Sequence, residues 1–133
     1  MKKYIITSIL TFILLIVSEH SFAQKQDVYL RLISADSLNN ILKGKHGKLL
    51  DVRTPGEFKK GHIPGAINID FLDDSFSMRI DSLDKNEQYE VYCHSGGRSD
   101  DATKLMQKKG FKRILHFDGG FSKWLTTGYA IAK

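Results

Sequence analysis

The stretch YEVYCHSGGRSDDATKLMQKKG, residues 89–110, joins an apolar run to a small-residue loop and then to a longer polar run. Residues 89–93 mix aromatic and β-branched side chains, which predicts a β-strand. The polar run carries apolar residues at helical spacing, among them Ala102 and Met106, and it ends at Gly110, a residue suited to a left-handed helix cap. The stretch therefore predicts a strand that leads directly into a helix.

The same alternation of strand and helix signals extends along the chain in both directions. It predicts an α/β domain with a mostly parallel sheet, because the connections are long enough to cross over between parallel strands. The other predicted strands are 48–52, 66–69 and 113–117, and the other predicted helical segments begin after Ser34, at Glu57, near Asp73 and Asp74, and after Gly120.

Size and composition indicate one globular domain. With 133 residues, 41% apolar and 26% charged, the chain has room for a single hydrophobic core and lacks the bias of a disordered segment. The net charge of +5 is weak evidence for any partner. A basic cluster beyond Cys93 fits a solvated helix end, where the helix dipole favours cations, and we predict no nucleic-acid partner. The cluster is Lys104, Lys108, Lys109, Lys112 and Arg113.

The first residues differ in composition from the rest of the chain. Lys2 and Lys3 give a positive start, residues 5–17 are almost wholly apolar, and residues 21–23 place small side chains where a signal peptidase cleaves. This pattern predicts a cleaved signal peptide over residues 1–23 and a periplasmic or secreted protein.

The remaining chain divides into a short N-terminal extension, residues 24–29, and the globular domain, residues 30–133. The alternative to cleavage is a leader that stays as a membrane anchor, and this uncleaved leader is the only membrane contact that we expect. Cleavage is favoured because the apolar run is shorter than the ~20 residues that span a bilayer.

Cys93 is the only cysteine in the chain. Export would place it in an oxidising compartment, where cysteines usually pair, and this sequence offers it no partner. One interpretation is a small buried apolar residue, as free cysteines often are. The other is a reactive thiol, because Cys93 ends a strand at the edge where parallel sheets bind ligands.

The loop after Cys93 favours the reactive interpretation. Two glycines let its backbone bend so that successive N–H groups converge, beside a helix N-terminus, on a site for negative charge. Such surroundings lower the pKa of a cysteine and make its thiolate available as a nucleophile. We expect the fork of Arg98 to hold an oxyanion such as thiosulfate or to orient the amides, and His94 to add charge or a hydrogen bond. The candidate catalytic residue is Cys93, and the candidate anion-binding loop is His94, Ser95, Gly96, Gly97 and Arg98.

Loop length separates the chemistries that such a loop can carry. Cys93 and Arg98 stand at C-x4-R spacing, whereas cysteine phosphatases and arsenate reductases use C-x5-R, with one more amide around a tetrahedral phosphate. The shorter loop fits a single terminal sulfur atom on Cys93, a persulfide, and disfavours phosphatase or arsenate reductase activity. An ordinary strand-to-helix turn is the alternative to any anion site.

Three motifs together resemble the rhodanese family of sulfurtransferase domains. They are LLDVRTPGEFKKGHIPGAINI at 49–69, VYCHSGGRS at 91–99 and DGGFSKW at 118–124, and the similarity runs from about Leu30 onward. The resemblance implies a single domain with a central parallel sheet of about five strands flanked by helices. It also implies that Cys93 accepts a sulfane sulfur as a persulfide, which the amides of the loop surround.

The resemblance further implies the reaction and its partners. A small sulfur-donor anion such as thiosulfate would load Cys93, and cyanide or a thiol acceptor, which includes protein thiols, would unload it. His94 departs from the many family members that have arginine there, and this smaller fixed charge lowers the expected affinity for thiosulfate. The alternative function is a non-catalytic module of the same fold that docks an exported partner, since the chain offers no resolving cysteine.

Asp51 and Arg53 fall beside the same site in the family arrangement, and we expect both to support it structurally. Asp51 would tie down neighbouring loops, and Arg53 would form an ion pair with Glu57.

No metal and no cofactor are expected. His62 has no second ligand at suitable spacing and is expected to bond a backbone carbonyl. His46 and His116 lack support as ligands for the same reason. Phe121 and Trp124 are expected to fill the core.

Overall fold

The computed structural model describes residues 29–133. The predicted signal peptide, residues 1–23, lies outside the described residues, as does nearly all of the predicted extension, so both stay predictions. None of the helices within residues 29–133 has the length and apolar character needed to cross a bilayer.

One parallel sheet forms the centre of the domain. Its strands are β1 Tyr29–Leu32, β2 Lys48–Asp51, β3 Ile67–Asn68, β4 Gln88–Tyr92 and β5 Arg113–Phe117. They pair in the order β1-β5-β4-β2-β3, which confirms the predicted α/β fold with its parallel sheet of five strands. β1 gives no strand signal in the sequence, because it is a short edge strand whose side chains are mostly exposed.

One helix follows each strand. The helices are α1 Ala35–Lys43, α2 Pro55–Lys60, α3 Phe76–Asp81, α4 Gly97–Lys108 and α5 Gly120–Thr126. α1 begins where the sequence predicts, since the hydroxyl of Ser34 accepts a hydrogen bond from the N–H of Ser37 at 3.1 Å. α4 begins earlier than the loop pattern indicates, so that Gly97 and Arg98 belong to its first turn.

The sheet separates two hydrophobic cores. α3 and α4 cover one face, where Phe76 and Met106 pack against Val91 of β4. α1 and α5 cover the other face, and the expected core residues Phe121 and Trp124 are 7% and 2% exposed there. The domain is therefore a three-layer α/β/α arrangement.

The centre of the sheet positions the site. β4 lies between β2 and β5, and its last residue, Tyr92, is in register with Asp51 of β2 and Phe117 of β5. Because all the strands run in parallel, the segments that follow β2, β4 and β5 leave the sheet at the same edge. The three sequence motifs meet there.

Candidate active site

The sulfur of Cys93 lies just beyond the end of β4, and Cys93 is 1% exposed. The backbone N–H of Gly96 donates to Cys93 Sγ at 3.1 Å, and the hydroxyl of Ser99 lies 3.3 Å from the same atom. The sulfur thus faces hydrogen-bond donors from the loop and from the first turn of α4.

These donors control the ionisation of the thiol. Burial acts to raise the pKa of Cys93, because a buried thiolate loses its hydration. Hydrogen bonds from the Ser99 hydroxyl and from the backbone N–H groups of Ser99, Gly96 and Ser95 act in the opposite direction and outweigh burial. The pKa of Cys93 therefore lies below its ordinary value, in the direction that the sequence predicts.

Gly96 gives the loop its shape. Its φ is 103°, a backbone conformation that side chains disfavour, and a Cβ at this position would lie 2.3 Å from the carbonyl oxygen of Asp118. The loop can therefore close against the segment after β5 only with glycine at position 96.

The DGG motif after β5 clamps the same loop from the other side. The N–H of Phe121 donates to the carbonyl of Cys93 at 2.8 Å, and the N–H of Ser122 donates to the carbonyl of His94 at 2.9 Å. A Cβ on Gly120 would lie 2.5 Å from the carbonyl oxygen of His94, so the close approach requires glycine. The first turn of α5 thus fixes the backbone of the reactive residue.

Of the two roles expected for Arg98, holding an oxyanion and orienting the amides, the first requires a free guanidinium fork, which the structure does not show. Arg98 Nη1 and Nη2 donate to Oε2 and Oε1 of Glu57 at 2.7 Å and 2.8 Å, so its fork is occupied by a carboxylate. This pair lowers the pKa of Glu57 from 4.5 to about 2, chiefly through the hydrogen bonds from Arg98. Arg98 therefore ties the start of α4 to α2.

The placement of Glu57 follows from a helix cap. The hydroxyl of Thr54 accepts from the N–H of Glu57 at 3.3 Å, and the N–H of Thr54 donates to Glu57 Oε2 at 3.1 Å. This reciprocal capping box starts α2 with the carboxylate turned back toward the N-terminus of the helix. Glu57 is thereby presented to Arg98.

The prediction of an ion pair between Arg53 and Glu57 is wrong. Arg53 bonds Asp51 instead: its Nε donates to both carboxylate oxygens at 2.9 Å and 3.0 Å, and its Nη2 donates to Oδ2 at 2.6 Å. The two residues are 2% and 0% exposed, and a charge buried to that degree needs its partner within hydrogen-bond reach. Glu57, on the rim, lies beyond that buried pair.

The Asp51–Arg53 pair joins the segments around the site through Arg53, whereas the carboxylate of Asp51 bonds Arg53 itself. Arg53 Nη2 also donates to the carbonyl of Gly61 at 2.8 Å, and its guanidinium lies 4.1 Å from the centre of the Phe121 ring. The pair thus connects β2 to the segment after α2 and to α5, without a contact to the sulfur.

The remaining loop residues form the rim of the site. His94, Ser95 and Gly97 are exposed. His94 also lines a cavity of about 350 Å³ that opens beside the loop. Its lining mixes apolar and charged side chains: Arg53, Glu57, Lys60, His94, Phe121, Leu125 and Ile131.

His62 and His116 lie in different surroundings. His62 Nδ1 lies 3.1 Å from the carbonyl oxygen of Phe58, as the sequence predicts. Within residues 29–133, no group of three or more potential metal-binding side chains comes together. His116 is buried, and its Nε2 lies 2.8 Å from the hydroxyl of Ser99, the group that contacts Cys93 Sγ. This contact was not predicted from the sequence, although Ser99 carries a hydroxyl directly after Arg98, the last residue of the candidate anion-binding loop.

Comparison with known proteins identifies the family. Residues 34–127 match the model of the rhodanese-like domain. A Bacillus subtilis protein whose name describes a sulfur carrier is 34% identical over 108 residues, which cover 81% of this chain and 49% of that protein. The protein named thiosulfate sulfurtransferase 16, chloroplastic, of Arabidopsis thaliana is 35% identical over 106 residues, which cover 72% of this chain and 88% of that protein.

A solved structure agrees with this match. The crystal structure of a rhodanese-related protein from Thermoplasma volcanium superimposes with a TM-score of 0.69 at 30% identity, and the alignment covers 77% of this chain and 97% of that one. The chain thus spans about half the length of its B. subtilis relative but nearly all of this structural neighbour. On these matches, the chain belongs to the family of rhodanese-like domains.

Proposed function

We propose that this protein is an exported sulfurtransferase in which Cys93 carries a sulfane sulfur as a persulfide. The observation that carries the proposal is the buried sulfur of Cys93, held by the N–H of Gly96 and the hydroxyl of Ser99 inside a rhodanese-like loop. The name of the A. thaliana relative, a thiosulfate sulfurtransferase, supports the reaction class. The composition of residues 1–23 supports export.

The loading step uses the lowered pKa of Cys93. The thiolate attacks the outer sulfur of a donor such as thiosulfate, a new S–S bond forms, and the S–S bond of the donor breaks so that sulfite leaves with its electron pair. The persulfide keeps the negative charge on its terminal sulfur. The amides of the loop stabilise that charge, as they stabilise the thiolate before the reaction.

The unloading step returns the site to its starting state. A nucleophile, either cyanide or the thiolate of an acceptor, attacks the terminal sulfur and the persulfide bond breaks. The electron pair of that bond returns to the sulfur of Cys93, and thiocyanate or the acceptor persulfide leaves. The acceptor reaches the loop from the cavity beside His94, where Phe121, Leu125 and Ile131 offer apolar surface and Lys60 offers positive charge.

The occupied fork of Arg98 changes how a donor anion would be held. Because Glu57 takes both of its prongs, Arg98 serves to position the loop, and the contacts to a donor come from backbone amides and His94 at the rim. This arrangement predicts weak binding of thiosulfate and a better fit to a donor that needs few charge contacts.

A second candidate function is a non-catalytic module that docks an exported partner. Cys93 is 1% exposed, and such burial favours a structural role of the thiol over a reactive one. Leu125 and Ile131, which are 52% and 43% exposed beside the cavity, give such a partner an apolar surface.

An assay with thiosulfate and cyanide distinguishes the two. The sulfurtransferase proposal predicts that the wild type forms thiocyanate and that Cys93→Ser does not, while Ser77→Ala, on the exposed side of α3, serves as the control. Thiocyanate formation by Cys93→Ser at the wild-type rate would rule out the mechanism. Partners retained by a Cys93→Ser bait, with a wild type that never carries a persulfide, would favour docking.

A further inference from the structure

The hydroxyl of Ser99 lies between three groups that can accept its single hydrogen. Ser99 Oγ is 2.8 Å from His116 Nε2, 3.0 Å from the carbonyl oxygen of Gly96 and 3.3 Å from Cys93 Sγ. Ser99 is 0% exposed and His116 is 3% exposed, so bulk water does not compete for these positions. The direction of one hydrogen therefore decides whether Ser99 donates to the reactive sulfur.

The tautomer of the His116 ring sets that direction. With the ring hydrogen on Nδ1, the bare Nε2 accepts the Ser99 hydrogen at the shortest of the three distances and draws it away from the sulfur. With the ring hydrogen on Nε2, this N–H donates to Ser99 Oγ, and the hydroxyl is left to donate to Cys93 or Gly96. A thiolate is the stronger of these two acceptors, because hydrogen bonds to an ionised partner are the stronger ones.

We propose that His116 is a positioning residue that carries its hydrogen on Nε2 and thereby directs the Ser99 hydroxyl onto the thiolate of Cys93. The inference rests on the proposed function, since it explains how the sulfur of Cys93 is kept anionic before loading and stabilised as the leaving group during unloading. The three side chains form a buried chain that joins β5, α4 and the end of β4. His116 acts through Ser99 and does not touch the sulfur.

The surroundings of His116 keep its ring neutral. Burial lowers the pKa of His116, and Lys104 adds to the lowering. The carboxylates of Asp118 and Asp100 and a hydrogen bond with the backbone of Gly96 act in the opposite direction and offset the burial only in part. An unperturbed histidine titrates at about 6.5, and the pKa of His116 lies lower, so above pH 7 the neutral ring predominates. Arg98 carries a positive charge that interacts with Cys93.

The hydrogen bond from Ser99 acts differently on the two halves of sulfur transfer. During loading, the sulfur of Cys93 gives up negative charge as it attacks the donor, so a bond to that sulfur weakens. During unloading, the electron pair of the S–S bond returns to the same sulfur, so the bond strengthens as the charge develops. Interactions that strengthen toward the transition state accelerate a step. The chain from His116 therefore favours unloading over loading.

The tautomer can be measured in the wild type. In long-range ¹H–¹⁵N spectra of protein with ¹⁵N-labelled histidine, the bare and protonated ring nitrogens are distinguished by their shifts, and His116→Gln identifies the resonances. At a pH where Cys93 is ionised, the proposal predicts hydrogen on Nε2 of His116. Hydrogen on Nδ1 would overturn it, and no substitution in the core is needed for this result.

The coupling to the sulfur is measured by the pKa of Cys93, taken from the pH dependence of iodoacetamide alkylation. His116→Leu, which has no donor, is expected to raise this pKa by roughly one unit, the size of a hydrogen bond to a charged group. Ser99→Ala should raise it at least as much, and the double variant no further than Ser99→Ala alone. His116→Gln, which keeps an N–H, should recover part of the shift. An effect of His116→Leu that persists in full without the Ser99 hydroxyl would contradict the proposal.

Single-turnover rates test the split between the two steps. At a pH where Cys93 is fully ionised, His116→Leu is expected to unload its persulfide to cyanide roughly tenfold more slowly, while loading is not slowed. Equal slowing of both steps would contradict the inference.

The spectra and the alkylation need no sulfur transfer, so they decide the role of His116 even if the sulfurtransferase proposal fails. A His116→Leu variant that loads and unloads sulfur like the wild type would leave the proposed function standing and overturn this inference alone.

Discussion

Arg98 on α4 and Glu57 on α2 form a two-pronged ion pair across 41 residues of chain, with N–O distances of 2.7 Å and 2.8 Å. Their side chains are 24% and 32% exposed, so the pair sits at the rim rather than in the core. It fastens the start of α4, and with it the end of the Cys93 loop, to the helix that follows β2. Arg98 thus acts on the site by positioning the Cys93 loop.

Glu57→Gln tests this pair through its pH dependence. The pKa of Glu57 is lowered from 4.5 to about 2, so its ionised form stabilises the fold fully above pH 4.5 and that contribution is lost as the pH falls toward 2. At pH 7 the variant is expected to lose about 1 kcal/mol of unfolding free energy, a value reduced for solvent exposure. Urea unfolding between pH 7 and 3 should show this difference shrinking with acid. A difference that is constant with pH, or one shared by the exposed control Glu87→Gln, would count against it.

Asp51→Asn tests the buried pair. Arg53, 2% exposed, would keep its charge and lose the carboxylate that neutralises it, which typically costs about 3–5 kcal/mol. Urea unfolding measures the loss. The control is Asp100→Asn, which removes the exposed partner of Lys104 and is expected to change stability little. Equal losses in the two variants would mean that burial does not set the value of the Asp51–Arg53 pair.

Gly96→Ala and Gly110→Ala separate backbone strain from contact. Both glycines have positive φ, 103° and 87°, but only a Cβ at position 96 meets an atom within 4 Å, the carbonyl of Asp118. Gly110→Ala is expected to cost about 1–2 kcal/mol from strain and to keep activity. Gly96→Ala should cost more and abolish thiocyanate formation, because the loop can no longer close. Unfolding curves and the cyanide assay report both, and full activity in Gly96→Ala would disprove the role of that contact.

The pH at which Cys93 becomes reactive is a further prediction. Since its pKa is lowered, the rate of iodoacetamide alkylation in the folded protein should rise at a lower pH than in the same protein unfolded in urea, where a free thiol titrates near about 8.5. The unfolded chain is its own matched control. A folded midpoint at or above the unfolded one would show that burial outweighs the hydrogen bonds.

The fold could be predicted from the sequence wherever local pattern and final burial agree. The predicted strands 89–93 and 113–117 correspond to the interior strands β4, Gln88–Tyr92, and β5, Arg113–Phe117. Their apolar runs are strong because both faces of the sheet are covered there. β1 was missed because it lies at the edge of the sheet and exposes most of its side chains, which leaves no apolar run to detect. The leader, residues 1–23, stays a prediction.

The site was predictable where it depends on neighbours in sequence and not where it depends on partners far along the chain. The glycine-rich loop after Cys93 predicts backbone donors beside the sulfur, and the N–H of Gly96 donates to it. The partner of Arg98 was missed because Glu57 is presented by a capping box on another helix. The contact of His116 was also missed because it depends on a distant segment: the register of β5 against β4 brings His116 under α4.

Intact-mass spectrometry after incubation with thiosulfate, at a concentration high enough to offset its weak binding, tests the central claim most directly. If Cys93 is a thiolate that accepts a sulfane sulfur, the wild-type protein should gain about 32 Da, the mass of the one sulfur atom in a persulfide, and lose it again on addition of cyanide. Cys93→Ser should gain nothing. A wild type whose mass does not change, or an equal gain in Cys93→Ser, would contradict the account.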